Sequence, residues 1–139
     1  MTQRERIIAA VFAKCDALTG CVAYRSREAA LARSEGPAVL VHPEEESVEL
    51  RGLGVVVRDF AVVCSIITRG AVPDKAADTV AEALHAALAA DQTLGGLVAR
   101  TIETGSKWNF EIADQNAVAL EARYSFRYLT PAATLSSLA

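Results

Sequence analysis

The side chains that could do chemistry are few and scattered in this sequence. Neither of the two histidines, His42 and His85, lies in a local pattern that pairs a histidine with a nucleophile. Asp78, Glu82 and His85 follow one another at i, i+4 and i+7, a spacing that could place three metal ligands on one helical face. The solvated face of an amphipathic helix explains the same residues. We therefore predict no catalytic residue, no metal site and no cofactor.

The three cysteines are Cys15, Cys21 and Cys64, an odd number without C-x-x-C spacing. Cys64 lies in the middle of a predicted strand, where a cysteine acts as a small buried apolar side chain. A reactive thiolate would need positive charge nearby. Cys15 and Cys21 could form a disulfide only if the fold brought their Cα atoms together. We predict free thiols in a reducing compartment.

Length, composition and charge narrow the class of protein. The chain has 139 residues, of which 52% are hydrophobic and 22% charged, which indicates one folded domain rather than disorder. A net charge of −3 gives no support to nucleic-acid binding. No segment reaches the roughly 18 apolar residues of a membrane span, and Thr2–Arg6 does not begin a secretory signal. We expect one domain over residues 1–130 and a flexible tail over 131–139.

Alternation of apolar and polar residues predicts two long strands. Ala117–Tyr128 has one apolar and one polar face. Val55–Thr68 is largely apolar on both faces, which is typical of a strand covered on both sides by helices or by another subunit. Trp108, Phe110 and Ile112 predict an apolar strand before Ala117, with a turn at residues 114–116. We expect this hairpin to be the floor on which the other elements pack.

Two helices should pack on that sheet. Thr2–Leu18 has an apolar stripe and a capping box of Thr2 with Glu5. Pro73–Ala90 begins with proline, which suits the first helical turn. The predicted class is α+β, an antiparallel or mixed β-sheet with two main helices packed on one face. Shorter predicted elements are strands at Cys21–Arg25, Ala38–His42 and Leu97–Glu103, helical turns at Ser26–Ser34, a charged turn at Glu44–Ser47 and a turn at Gly105-Ser106.

Two charged features are candidate contacts in an assembly. The acidic run at residues 44–46 is typical of a solvated turn, but it could also meet Arg25, Arg27 or Arg33 across a subunit contact. The polar face of the last strand carries arginines and must face solvent or a partner. The six candidate interface residues are Glu44, Glu45, Glu46, Glu121, Arg123 and Arg127.

The order and spacing of seven segments form a pattern that covers nearly the whole chain. The segments are the N-terminal helix, Pro37–Pro43, Arg58–Gly70, Asp74–Ala90, Asp91–Leu97, Gly105–Gln115 and the aromatic Tyr124–Tyr128 before Thr130-Pro131. This pattern resembles the tail terminator (minor tail protein U-like) family of long-tailed bacteriophages and their prophages. No single motif carries the resemblance.

The resemblance implies a non-enzymatic structural protein of the virion tail or neck, present in the host cytoplasm during assembly. Such proteins form hexameric rings that cap the tail tube, end its polymerisation and present a surface to the head. The implied partners are further copies of the chain, the tail-tube protein and the head–tail connector. We expect the six candidate interface residues to lie at or near such contacts, and the isolated chain could be a monomer.

Two alternatives stay open at this stage. Another head–tail connector or tail-completion protein would share the same sequence pattern, and only the binding partner would separate them. A small α+β enzyme or ligand-binding domain would need a concave pocket with convergent polar groups. A cleft that gathered His85, Asp78 and a cysteine would favour this last class.

Overall fold

A five-stranded sheet carries two helices in the computed structural model, which describes residues 1–26, 36–110 and 116–139. The order in the sheet is β1-β2-β3-β5-β4; β1 is parallel to β2 and the other neighbours are antiparallel. This mixed sheet confirms the predicted α+β class. The elements are α1 (Gln3–Asp16), β1 (Val22–Arg25), β2 (Ala38–Gly52), β3 (Val55–Arg69), α2 (Pro73–Ala90), β4 (Arg100–Phe110) and β5 (Ala117–Pro131).

Both helices begin where the sequence predicts. The Thr2 hydroxyl accepts a hydrogen bond from the Glu5 backbone N–H at 3.1 Å, the first half of the predicted capping box. The Glu5 carboxylate binds the Arg25 guanidinium instead of completing that box, and it thereby ties α1 to β1. Pro73 is the first residue of α2. The predicted helical turns at 27–34, Ile112 and the turn residues 114–115 lie outside the described residues.

The core lies between the helices and one face of the sheet. Phe60, Val62, Cys64 and Ile66 point to this face from β3, as predicted, and each is at least 96% buried. Burial of an aliphatic or aromatic side chain stabilises the folded state by about 1.5–3 kcal/mol. The residues that pack on them from the helices are Ile7, Ile8, Val11 and Cys15 of α1 and Ala77, Leu84 and Leu88 of α2. Both helices therefore lie on the same face.

The predicted charged turn at Glu44–Ser47 is wrong, because β2 runs through it to Gly52. A β-bulge between Pro43 and Glu45 lets the strand continue past the proline, which has no N–H to donate to the neighbouring strand. The bulge also reverses the alternation of β2. Before it Val41 pairs with Cys64 of the core face, and after it Glu46 pairs with Phe60 of that face.

The predicted break at Gly105-Ser106 is also wrong. A second bulge, between Glu103 and Gly105, lets β4 continue as one strand. Trp108 and Phe110 do face the helix side, opposite Leu120 and Val118 of β5, but they are 47% and 59% exposed. Their exposure follows from position, since β4 is an edge strand. The pair β3–β5, in register over the full length of both strands, is the centre of the sheet.

The C-terminal segment 132–139 is hydrogen-bonded to the domain. The backbone N–H of Gln3 donates to the carbonyl of Leu135 at 2.7 Å, and the Gln3 side chain donates to the carbonyl of Ser136 at 2.8 Å. The last residue returns to the sheet, where the N–H of Ala139 donates to the carbonyl of Leu129 at 3.0 Å. Flexibility of this segment stays a prediction, but its contacts join the start of α1 to the end of β5.

Removal of residues 132–139 should lower the free energy of unfolding by about 2–4 kcal/mol, because three or more hydrogen bonds are lost and the Gln3 amide loses its partner. Urea unfolding followed by circular dichroism measures this change. Deletion of Ala139 alone is the control and should cost less than half as much. A truncated chain as stable as the full one would show that the segment is loosely held, as the sequence predicted.

Candidate interaction surface

The face of the sheet opposite the helices is crossed by ion pairs between neighbouring strands. Asp59 of β3 and Arg127 of β5 are directly opposite each other. The Arg127 Nε and Nη2 atoms donate to the two carboxylate oxygens of Asp59 at 2.8 and 2.9 Å, a bidentate geometry that is stronger than a single contact. Hydrogen bonding to Arg127 lowers the pKa of Asp59 below its usual value.

Arg123 joins two strands on the same face. Its Nε donates to Glu44 at 3.1 Å and its Nη2 donates to Glu121 at 3.2 Å. Glu44 is the extra residue of the β2 bulge, and the register of β2 with β3 skips it. The bulge therefore supplies a carboxylate that reaches across β3 to β5.

Glu46, another of the six predicted interface residues, faces the helix side of the sheet and lies in a polar network. Its side chain is only 10% exposed. One carboxylate oxygen accepts from Arg4 of α1 at 3.1 Å and from Arg58 of β3 at 3.0 Å. The other accepts from the Tyr128 hydroxyl at 2.6 Å, and Arg58 Nε also donates to the Thr130 hydroxyl at 2.8 Å. Glu46 thus connects one helix and three strands of its own chain.

The structure separates the six predicted interface residues into two groups. We use the name charged face for the five that share the side opposite α1 and α2 and for Asp59, which the sequence analysis missed. Arg25, proposed as a partner of the acidic run, binds Glu5, while Arg27 and Arg33 lie outside the described residues. Asp59 could have been found from its position in β3 once its register with Arg127 was known. The charged face consists of Glu44, Glu45, Asp59, Glu121, Arg123 and Arg127.

A shallow cavity of about 120 Å³ lies beside His85, between α2 and the strands β4 and β5. His85 Nδ1 lies 3.0 Å from the Tyr124 hydroxyl and 2.9 Å from a Glu103 oxygen. Burial, with the Glu103 charge nearby, raises the pKa of Tyr124. Neither Asp78 nor a cysteine is among the residues that line the cavity. Ligand pockets usually hold roughly 300–1,000 Å³, so this cavity is small for a ligand site.

The thiols of Cys15, Cys21 and Cys64 are free, as predicted. Cys15 and Cys64 are buried in the core between α1 and β3. A hydrogen bond to Cys15 and burial raise the pKa of Cys64 well above its usual value. Cys64 is therefore a protonated core thiol at neutral pH, as its position in the strand indicates.

Among residues 1–26, 36–110 and 116–139, no group of three histidine, cysteine or acidic side chains is arranged to hold a metal ion. Within the same ranges, no helix has both the length and the apolar character needed to cross a membrane. No protein-family model and no curated protein matches the chain.

Replacement of Glu46 should be far more costly than replacement of its neighbour Glu45. Glu46→Ala leaves Arg4, Arg58 and Tyr128 without the carboxylate that they share, so we expect a loss of about 3–5 kcal/mol in the free energy of unfolding. The exposed Glu45→Ala variant is the matched control and should change stability by no more than about 0.5 kcal/mol. Equal effects in urea unfolding would contradict the role assigned to Glu46.

Asp59 should make stability depend on acid pH. Because its pKa is lowered in the folded chain, its contribution is complete above the unfolded value of about 3.9 and is lost as the pH falls through the folded value. Asp59→Asn should therefore be less stable than the wild type at neutral pH, and the difference should shrink below about pH 4. Urea unfolding from pH 2 to pH 7 tests this, with Glu45→Gln as the control. A difference that stays constant over that range would refute the linkage.

Proposed function

We propose that this chain is a tail terminator of a long-tailed phage or prophage, which caps the tail tube as a ring, ends its polymerisation and joins the tail to the head. The observation that carries the proposal is the charged face, a surface opposite α1 and α2 on which five of the six named charges are already paired within the subunit. The resemblance in segment order supports the same function.

Paired charges suit a surface that another protein covers. A neighbour that covers Asp59 and Arg127 covers a neutral pair rather than an isolated charge, and Arg123 offsets one of the two carboxylates that it binds. Complementary charge patterns then determine register and association rate more than affinity. Val63 lies under these pairs and is 2% exposed, so the surface is polar and closely packed.

A ring needs two different patches on each subunit, because each copy meets its neighbour in a head-to-tail manner. The charged face provides one patch. Exposed apolar residues on the helix side of the edge strand β4 provide a second, with Trp108 and Phe110 at 47% and 59% exposure. An exposed apolar group of this kind on an edge strand is typical of an interaction site.

The direct test is the mass of the protein in solution, with and without polymerised tail-tube protein of a long-tailed phage. We expect wild-type protein to bind the tube end as a ring, and electron microscopy should show tubes that stop growing once they are capped. Binding to a connector ring but not to tubes would favour the head–tail connector alternative. Failure to bind either assembly would overturn the proposal.

A charge reversal on the charged face should separate folding from capping. Arg123→Glu places a third carboxylate between Glu44 and Glu121, so we expect tube capping to weaken at least about tenfold. Lys75→Glu makes the same charge change on α2, on the opposite side of the domain, and should cap tubes as the wild type does. Circular dichroism must show that both variants are folded. Equal capping by the two variants would remove the charged face from the interface.

A further inference from the structure

The turn between β2 and β3 presents a leucine to solvent in a strained conformation. Gly52 at the end of β2 and the two turn residues Leu53 and Gly54 have φ angles of 109°, 55° and 75°. Glycine adopts such angles without strain, but leucine has a Cβ atom and does not. Leu53 is nevertheless 105% exposed, so no packing within its own chain offsets the cost.

Strain together with full exposure makes Leu53 unfavourable for the isolated domain. A left-handed conformation costs a non-glycine residue roughly 1–2 kcal/mol, and asparagine or glycine would be the usual choice in this turn. Val48 and Leu50, at 53% and 72% exposure, extend the apolar surface along the same hairpin. Strained residues persist where the surroundings or a function compensates for them.

An apolar depression lies at the same end of the sheet. It has a volume of about 220 Å³ and is lined mainly by Leu97, Leu129 and Leu138, with the tail on one side. Leu129 pairs with Val57, two residues beyond the first residue of β3, so the depression is close to the end that carries the turn. An engineered protein cavity of roughly 150 Å³ holds a benzene molecule, so this depression has room for a leucine side chain.

We propose that Leu53 of one copy inserts into the depression formed by Leu97, Leu129 and Leu138 of a second copy of this chain. The two features are complementary in chemistry and size, and both are unfilled in the single chain. A protruding apolar side chain and an apolar depression at a different place on the same chain create a head-to-tail contact between copies. The contact itself requires only a second copy of the chain. That the contact forms part of a ring rests on the proposed function.

The match between Leu53 and the depression favours a second copy of the chain, rather than an unrelated protein, as the binding partner. A foreign partner would have to provide both a depression for Leu53 and a protrusion for Leu138, which is 41% exposed. A copy of the chain provides both at once. The same arrangement continues from subunit to subunit, which is what a closed ring or a short oligomer requires.

Leu53→Asn tests the protruding side of the contact. Asparagine tolerates the left-handed conformation, so the variant should have an unchanged or higher melting temperature while self-association weakens at least about tenfold. Sedimentation equilibrium up to about 1 mM protein measures the association. Val72→Asn is the matched control, an exposed apolar-to-asparagine change at the opposite end of the sheet, and should associate as the wild type does.

Leu138→Asp tests the receiving side, because it places a charge in the depression. Each variant alone should be monomeric. A mixture of Leu53→Asn with Leu138→Asp should form a heterodimer, since the first retains an intact depression and the second an intact Leu53. A mixture that stays monomeric while the wild type associates would overturn the proposed contact.

A photo-crosslinker in place of Leu53 identifies the occupant in solution and on polymerised tail-tube protein. We expect links to residues 96–99 or 128–139 of a second copy. Links elsewhere, or a wild-type protein that forms no such links in either setting, would overturn the contact. Tube capping without these links would leave the proposed function intact and remove this contact. Links between copies without tube binding would support this contact and overturn the proposed function.

Discussion

The Glu46 carboxylate connects the helix layer of this domain to three strands of the sheet through a polar network. It accepts hydrogen bonds from arginines of α1 and β3 and from the tyrosine hydroxyl of β5. Arg58 and Glu46 are each 10% exposed, so their burial costs desolvation energy that offsets much of their attraction, whereas Arg4 is 41% exposed. Its value is specificity, because a shift of any one strand would leave several buried polar groups without partners.

The bulge at Pro43 makes this network possible. Without the extra residue the alternation of β2 would continue, and Glu45 rather than Glu46 would face the helices. The same extra residue is Glu44, which reaches the opposite face and binds Arg123. One irregularity in one strand therefore directs neighbouring glutamates to opposite sides of the sheet. It builds both the internal network and part of the charged face.

The two faces of the sheet suit different tasks. The helix side is filled with aliphatic and aromatic residues, and its packing provides most of the stability of the domain. On the other side, the described residues place no helix, and arginine side chains bound to carboxylates of neighbouring strands cover its centre. Partly buried charge pairs let this face stay polar although its side chains are closely packed.

Local sequence patterns predicted correctly the elements in which apolar and polar side chains alternate with a clear helical or strand period. The bounds of α2, the two-sided burial of β3 and the alternation of β5 follow from residues that are near neighbours in the chain. The wrong predictions lie at Glu44–Ser47 and Gly105-Ser106, where turn-forming residues interrupt a pattern. There a bulge, which depends on the partner strand, keeps the strand continuous and replaces the expected turn.

The amino-acid sequence by itself determined the α+β class, the two helices and the faces of the central strands, because helical and strand periodicity are local properties. The tertiary structure alone decided the strand order, the side on which each glutamate lies, the pairing of Asp59 with Arg127 and the docking of the C-terminal segment on α1. Each of these joins residues far apart in the chain. Their partners are selected by packing of the whole domain, about which a short stretch of sequence carries no information.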